Sequence, residues 1–436
     1  MRRPGWLSNA ALGAAVLALG LSTPTLGAGF GFFEQGSKAM GLAGAFTAQA
    51  DDPSALFHNV AGIAFQKERA LSVGTTLTSL GDSTFAGEPP FPGPTATGEQ
   101  EDNLLTPSHV YYVQPLGEDW TLGLGLNNPF GLVTEWSDPD RWAGRFLSTR
   151  ADLKTYDLTP SLGWRVTPTL GIGFGAVVRF AEVELDRRLA RPNPFTFTAS
   201  EVAKVELKSD LDEGFGWMVG LLHRYNNSFS WGFAYRSKVE IDLGGDGRLT
   251  QVLTGTPQFD AAVAAALPFG RDLPIETSVE FPDMASLGAA FALSRNTLLE
   301  VDVNWTGWSS FDEVTIVFTE NPTLTSTLHQ NWDDVYNYRA GLRWNSSPAH
   351  QWRVGYVYDE TPQPDETVSP LLPDNDRDGY TVGYGYRGQK HAFDLALMYL
   401  DFGERTTTTT APNVFNGTYE TTAYLLGLTY TWGGAS

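Results

Sequence analysis

From Tyr336 to Trp344 every second residue is apolar or aromatic, and the residues between are polar, charged or glycine. Successive side chains of a strand face opposite sides. Tyr336, Tyr338, Ala340, Leu342 and Trp344 therefore share one face, and Asn337, Arg339, Gly341 and Arg343 share the other. The same alternation recurs to the end of the chain. Strand-like rows include Trp120, Leu122, Leu124, Leu126, then Ile172, Phe174, Ala176, Val178, Phe180. Further rows are Trp352, Val354, Tyr356, Tyr358 and Tyr424, Leu426, Leu428, Tyr430, Trp432. An aromatic-rich outer face with tyrosine and tryptophan near strand ends suits a lipid boundary.

Fourteen strands are expected, near 69–80, 104–115, 119–131, 152–167, 169–186, 205–225 and 229–242, then 276–293, 297–318, 332–346, 350–360, 378–388, 390–403 and 418–432. Long, polar, proline-rich links follow the odd strands and tight turns follow the even ones. An even count with loops sorted this way points to an all-β fold, a transmembrane antiparallel β-barrel. A soluble sandwich would not sort its loops so. A closed barrel also leaves no unpaired backbone in lipid. Both termini then lie on the turn side, the periplasm.

Composition agrees. The chain has 436 residues, no cysteine, 13% aromatic residues and 13 tryptophans. After residue 27 no run of eighteen apolar residues occurs, so no helical span is expected. Arg2, Arg3, the apolar run Ala10 to Leu21 and the small residues Thr25-Leu26-Gly27 read as a signal peptide over 1–27. Without Arg2 and Arg3 the balance is 27 basic against 50 acidic residues, a net charge of −23. That acidity argues against nucleic acid as a partner. The absence of cysteine argues against a small disulfide-stapled domain.

Residues 28–67 differ from the rest. They are rich in glycine and alanine and lack period 2, so short helical turns packed inside the barrel are expected, with the barrel over 68–436. On the inward rows Glu300, Asp302 and Asn304 neighbour Arg339 and Arg343, with Arg353, Asp359, Arg387 and Asp394 further on. The plain reading is a cross-strand ion-pair ladder that stiffens the wall. The sharper one is that Arg339, Arg343 or Arg353 meets a ligand carboxylate.

Several segments resemble the outer-membrane FadL-type family of long-chain fatty-acid and hydrophobic-compound transporters. The blocks are Ala28-Gly29-Phe30, then Gly41-Leu42-Ala43-Gly44-Ala45-Phe46, then Ala50-Asp51-Asp52-Pro53 and Asn59-Val60-Ala61-Gly62. Asn127-Asn128-Pro129-Phe130-Gly131 and the run from Phe281 to Arg377 extend the resemblance over nearly the whole mature chain. It implies a plug, or hatch, at 28–67 and a ligand pocket touching Ala28, Gly29 and Phe30. It also implies a kink with a lateral opening at the third strand. The family usually has proline where this chain has Val60, so the fixed backbone proline supplies is in question. Proline within a strand removes a ladder bond, so Pro129 marks either a wall defect or the strand's end. The implied function is passive uptake of hydrophobic compounds, long-chain fatty acids first, with aromatic hydrocarbons or alkanes as the alternative. Such solutes avoid water by leaving sideways into lipid.

An apolar helix at 259–267 on an extracellular loop suggests a capture site involving Phe259, Val263, Leu267 and Phe269, or else a self-packed lid. Asp374-Asn375-Asp376-Arg377-Asp378-Gly379 copies half of a calcium loop, but its twelfth position is Gly385, so a polar loop is preferred. The six histidines show no metal-ligand spacing and no nucleophile elbow occurs. Ser108 and His109 are adjacent in a strand and face opposite sides, which disfavours a barrel lipase. A general porin needs an open lumen, against which 28–67 argues. The expectation is a monomer in the outer membrane of a Gram-negative bacterium, contacting lipid and lipopolysaccharide. No cofactor, metal or enzymatic activity is expected.

Overall fold

The computed structural model describes residues 29–409 and 415–433. The expected signal peptide, Ala28 and the tail Gly434 to Ser436 lie outside the described residues. Fourteen antiparallel strands close into a barrel. They are β1 Ala70–Gly87, β2 Ser108–Leu116, β3 Trp120–Asn127, β4 Arg150–Arg165 and β5 Leu170–Asn193. Next come β6 Asp212–Asn226, β7 Phe229–Arg236, β8 Met284–Ala292, β9 Thr297–Thr306 and β10 Val335–Asn345. The last are β11 His350–Asp359, β12 Arg377–Arg387, β13 His391–Thr407 and β14 Gly417–Gly433. Each pairs with the next, and β14 pairs back onto β1 from Ala70↔Gly433 to Gly87↔Gly417.

The outer face follows the alternation. Tyr336, Tyr338 and Trp344 are exposed while Asn337 and Arg339 between them are buried. The rows through Trp120, Phe174, Trp352 and Tyr424 behave in the same way. Among the described residues no helix is long and apolar enough to cross a membrane. Exposed leucine, phenylalanine and tyrosine around the whole wall are the mark of a surface solvated by lipid.

Four expected strands are corrected. The segments 205–225, 229–242, 276–293 and 297–318 each break in two at the upper rim of the barrel. The outer pieces, Thr198–Ser209, Val239–Gln251, Asp272–Phe281 and Glu313–Phe318, join Ser326–His329 in a sheet that extends β5 outward. Each outer strand also has one apolar face, packed as Val205, Leu207, Leu249, Leu273, Ile275 and Phe318. Period 2 therefore runs through the break and does not reveal it.

The lumen is filled by residues 30–66. Short helices Ser37–Met40 and Ala55–His58 and the 3₁₀ turn Val60–Phe65 are nearly all buried. Wall glycines make room for this backbone. A β-carbon at Gly173 would collide with the Val60 carbonyl, and one at Gly220 with Asn59 Oδ1. The expected helix on the long loop forms over Pro257–Ala266. Phe259 and Val263 pack on Val202 and Ala203 of the outer hairpin, beside Leu267 and Phe269.

Candidate functional site

The third strand breaks and resumes. β3 pairs with β4 from Trp120↔Trp164 to Asn127↔Asp157, and Gly131–Glu135 then pairs with the same β4 from Gly131↔Lys154. Asn128, Pro129 and Phe130 leave the ladder between, so the proline marks a mid-strand defect. The freed groups are met locally. Asn128 Nδ2 donates to the Thr155 carbonyl at 2.7 Å, and the Phe130 N–H donates to Thr155 Oγ1 at 3.0 Å. On the other side the Ser108 N–H donates to Asn128 Oδ1 at 3.0 Å.

The N-terminal arm lies in this gap. The Phe32 N–H donates to the Pro129 carbonyl at 2.7 Å, and the Gly131 N–H to the Phe30 carbonyl at 2.8 Å. Gln35 Nε2 donates to the Asn128 carbonyl at 2.6 Å. Gly29, in the left-handed region at φ +62°, places its N–H 3.2 Å from Asp374 Oδ2 on the loop after β11. Burial pushes the Asp374 carboxyl above its ordinary range. Asp374 also accepts from Thr361 and sits 3.4 Å from Arg377, so the half calcium loop serves as an anchor for the arm.

Above the arm an apolar cavity opens, its space, mouth included, about 600 Å³. Leu132, Leu153, Val183, Leu185, Val279 and Leu372 are among its walls, and the Phe30 ring closes its foot. Phe30 is 2% exposed and touches Phe130, Phe281, Trp308, Phe311 and Trp332, at centroid distances of 4.5–6.2 Å. Below this cage Arg179 lies over Phe130 and Phe281, at 4.5 and 5.0 Å. Its guanidinium grips Asp157 in a fork at 2.8 and 2.9 Å, and Arg236 Nη1 reaches the same carboxylate at 2.9 Å. One acid between two arginines leaves a buried excess of one positive charge. Alternation already put Arg179 inward, since Val178 and Phe180 face out. Nothing in one sequence distinguishes it from the other inward arginines.

The opposite side of the lumen is built of charges that hold the plug. Asp302 accepts from the Phe46 and Thr47 N–H groups at 3.0 and 2.9 Å. Glu300 accepts from the Ala48 N–H at 2.6 Å and the Gln49 N–H at 3.4 Å. Arg339 donates to the Ala43 carbonyl at 2.8 Å, and Arg343 pairs with Asp51 at 2.9 Å. Arg353 pairs with Asp394 at 2.7 Å. Register does set Asp302 opposite Arg339, yet each grips the plug instead of the other. The expected ladder of ion pairs between strands is thus replaced, on β9 and β10, by bonds to the plug. None of Arg339, Arg343 and Arg353 lines the apolar cavity.

The Asn59-Val60-Ala61-Gly62 turn sits among these contacts. Asn59 Nδ2 donates to the Thr47 and Leu221 carbonyls, and its Oδ1 accepts from the Ala61 N–H. The turn therefore forms without proline. Ser108 faces outward and His109 stacks inward on Tyr111, as alternation requires. Among the described residues no group of acids and histidines could hold a metal ion.

A fourteen-stranded outer-membrane barrel filled by its own N-terminal segment is the class that this geometry defines. The sequence pattern of the family described as "Outer membrane protein transport protein (OMPP1/FadL/TodX)" matches residues 18–433, and the chain belongs to that family. It is 25% identical over 409 residues to a long-chain fatty acid transport protein of Salmonella typhi, covering 90% of this chain and 91% of that one. A Pseudomonas aeruginosa FadL homologue of known structure shares the fold with a TM-score of 0.83 at 22% identity, over 93% of this chain and 100% of that one. The toluene transporter TbuX of Ralstonia pickettii aligns with a TM-score of 0.68 at 18% identity, over 92% and 99%.

Proposed function

We propose that this protein is a passive outer-membrane route for hydrophobic compounds, long-chain fatty acids above all. The observation that carries the reading is the apolar cavity whose foot is Phe30, a residue whose own backbone plugs the break in β3. A solute that enters from outside reaches the one piece of the plug lying against a gap in the wall. Moving that arm opens a path from the cavity into lipid, so an apolar chain never crosses water. The plug body, residues 37–67, acts as the fixed hatch. The excess positive charge at Arg179 and Arg236 favours a carboxylate head group behind the cage. Phe259, Val263, Leu267 and Phe269, packed on the outer hairpin, form the extracellular capture site. The protein works as a monomer among lipid and lipopolysaccharide.

A second reading, aromatic hydrocarbons by the same route, is favoured by one feature: the five aromatic rings around Phe30. An open porin is disfavoured because the lumen is filled. Replacing Pro129 and Gly131 by valine should let β3 run on and seal the gap. Uptake of labelled oleate by a deletion strain should then fall to the level of empty vector, while the barrel keeps its compact mobility in unheated detergent gels. Unchanged uptake would remove lateral exit.

A further inference from the structure

The barrel closes where β14 meets β1, and its lipid-facing wall is hollowed there. A groove of about 940 Å³, mouth included, crosses this seam from β12 to β2. Register shows how it forms. Tyr384, Leu395, Leu428, Thr75 and Ser108 stand side by side in one outward row. Phe393, Tyr430, Val73 and Val110 make the next row towards the periplasm. The upper row ends in two short side chains. Ser108 Oγ donates to Thr75 Oγ1 at 3.1 Å, and Thr75 Oγ1 donates to the Pro107 carbonyl at 3.2 Å, so both hydroxyls are turned back onto the protein. Below the groove the wall becomes aromatic and cationic. The Tyr384 and Tyr430 hydroxyls lie 2.6 Å from His350 Nδ1 and His391 Nδ1. His391 stands opposite Trp432, and the Arg69 guanidinium lies over the Trp432 ring at 5.2 Å. Lys390 precedes His391 in the periplasmic turn, and Arg69, Lys390 and both histidines are exposed. Glu68 is the exposed acid beside them, while Asp394 is buried and paired with Arg353 and Arg387. The neighbouring turn between β2 and β3 carries Glu118 and Asp119 instead.

We propose that this corner binds one anionic phospholipid of the periplasmic leaflet. The solvent of this wall is lipid, so the occupant of an apolar groove in it is an acyl chain. Tyrosine and tryptophan settle at head-group depth, and basic residues there attract anionic head groups. The lipid phosphate meets Arg69, Lys390 and His391, and one chain lies in the groove across the β14–β1 seam. The lipid thereby staples the first strand to the last. The inference is independent of what the lumen carries.

The test is native mass spectrometry of the full chain in detergent micelles, titrated with dioleoyl phosphatidylglycerol and with dioleoyl phosphatidylethanolamine. The chains are the same, but only the first lipid has a net negative charge. The first phosphatidylglycerol should bind about tenfold more tightly than the first phosphatidylethanolamine, the order expected of two surface cations. Raising ammonium acetate from about 50 to 500 mM should shrink that advantage, because salt screens exposed charges. Arg69→Gln with Lys390→Gln should bring phosphatidylglycerol down to the level of phosphatidylethanolamine, while Arg69→Lys should keep the preference. Thr75→Leu fills the groove and should weaken both lipids. Phosphatidylglycerol should also raise the melting temperature of the unaltered barrel and not that of the double glutamine variant, since a ligand of the folded state stabilises it. Equal affinities in the unaltered protein, a preference that survives loss of both cations or is lost in Arg69→Lys, or binding untouched by Thr75→Leu would overturn the proposal. Unheated gel mobility checks that each variant remains a folded barrel.

Discussion

Two sides of one plug are held by different physics. Residues 43–51 face β9 and β10, and their backbone is gripped by Asp302, Glu300 and Arg339 while Asp51 meets Arg343. Residues 29–33 face the break in β3, with short backbone bonds to Pro129 and Gly131 and a side chain in a ring cage. Hydrogen bonds to buried charges are costly to leave unmade. Apolar ring contacts can be exchanged for an arriving apolar ligand at little net cost. The difference supports the proposal that the body is the anchor and the arm the gate.

That assignment can be broken at its strongest point first. Asp302→Ala with Glu300→Ala strips acceptors from four plug N–H groups, at about 1.5–3 kcal/mol for each lost charged bond. The plug should then leave the lumen part of the time. Planar-bilayer recording should show a steady porin-sized current for this variant and no such current for the unaltered protein; a silent bilayer would mean that the anchors lie elsewhere. Phe30→Ala acts on the gate instead. It deletes a buried ring, an effect of about 3–5 kcal/mol on arm docking. Limited proteolysis should cut near residue 33 while the current stays low, separating arm from body.

A smaller effect concerns pH. His58 is pushed down to about 4, chiefly by burial, and its Nε2 lies 2.8 Å from the Gln35 carbonyl. A histidine whose docked value is lowered contributes fully above its free value near 6.5, and that contribution is lost as pH falls from there towards 4. Burial raises Glu34 and Asp52, which act in the opposite sense. His58→Gln should therefore make plug docking, followed by proteolysis between pH 7.5 and 5, less sensitive to acid than the unaltered protein. The smallest effect is expected for Val60→Pro. Asn59 is already extended, at φ −158° and ψ 101°, and Val60 opens a 3₁₀ turn. Proline fits such a position, so thermal stability in detergent should change by under about 1 kcal/mol, and towards stability.

What could be read beforehand divides along the same line. Alternation alone placed Tyr336 and Trp344 outside and Arg339 inside, because period 2 follows from strand geometry. It set the face of Glu300 and Asp302 but not their partner, since the partner is backbone more than 250 residues away in sequence. The proline at 129 signalled the defect in β3, yet the arm that fills it gave no local pattern. Gly173 and Gly220 read as ordinary small residues until the plug backbone lies against them. The outer sheet was hidden because its strands keep the period of those in the barrel.

If lateral release runs through the arm-gated break, a covalent link between arm and break should block it. Gly31 and Phe130 are bridge partners, and the chain has no cysteine of its own. Antiparallel bridge partners lie within disulfide reach. With Gly31→Cys and Phe130→Cys, labelled oleate uptake should stop under oxidant and return on reduction, the reduced form serving as control for the lost ring. Uptake that continues with the disulfide closed would contradict the account.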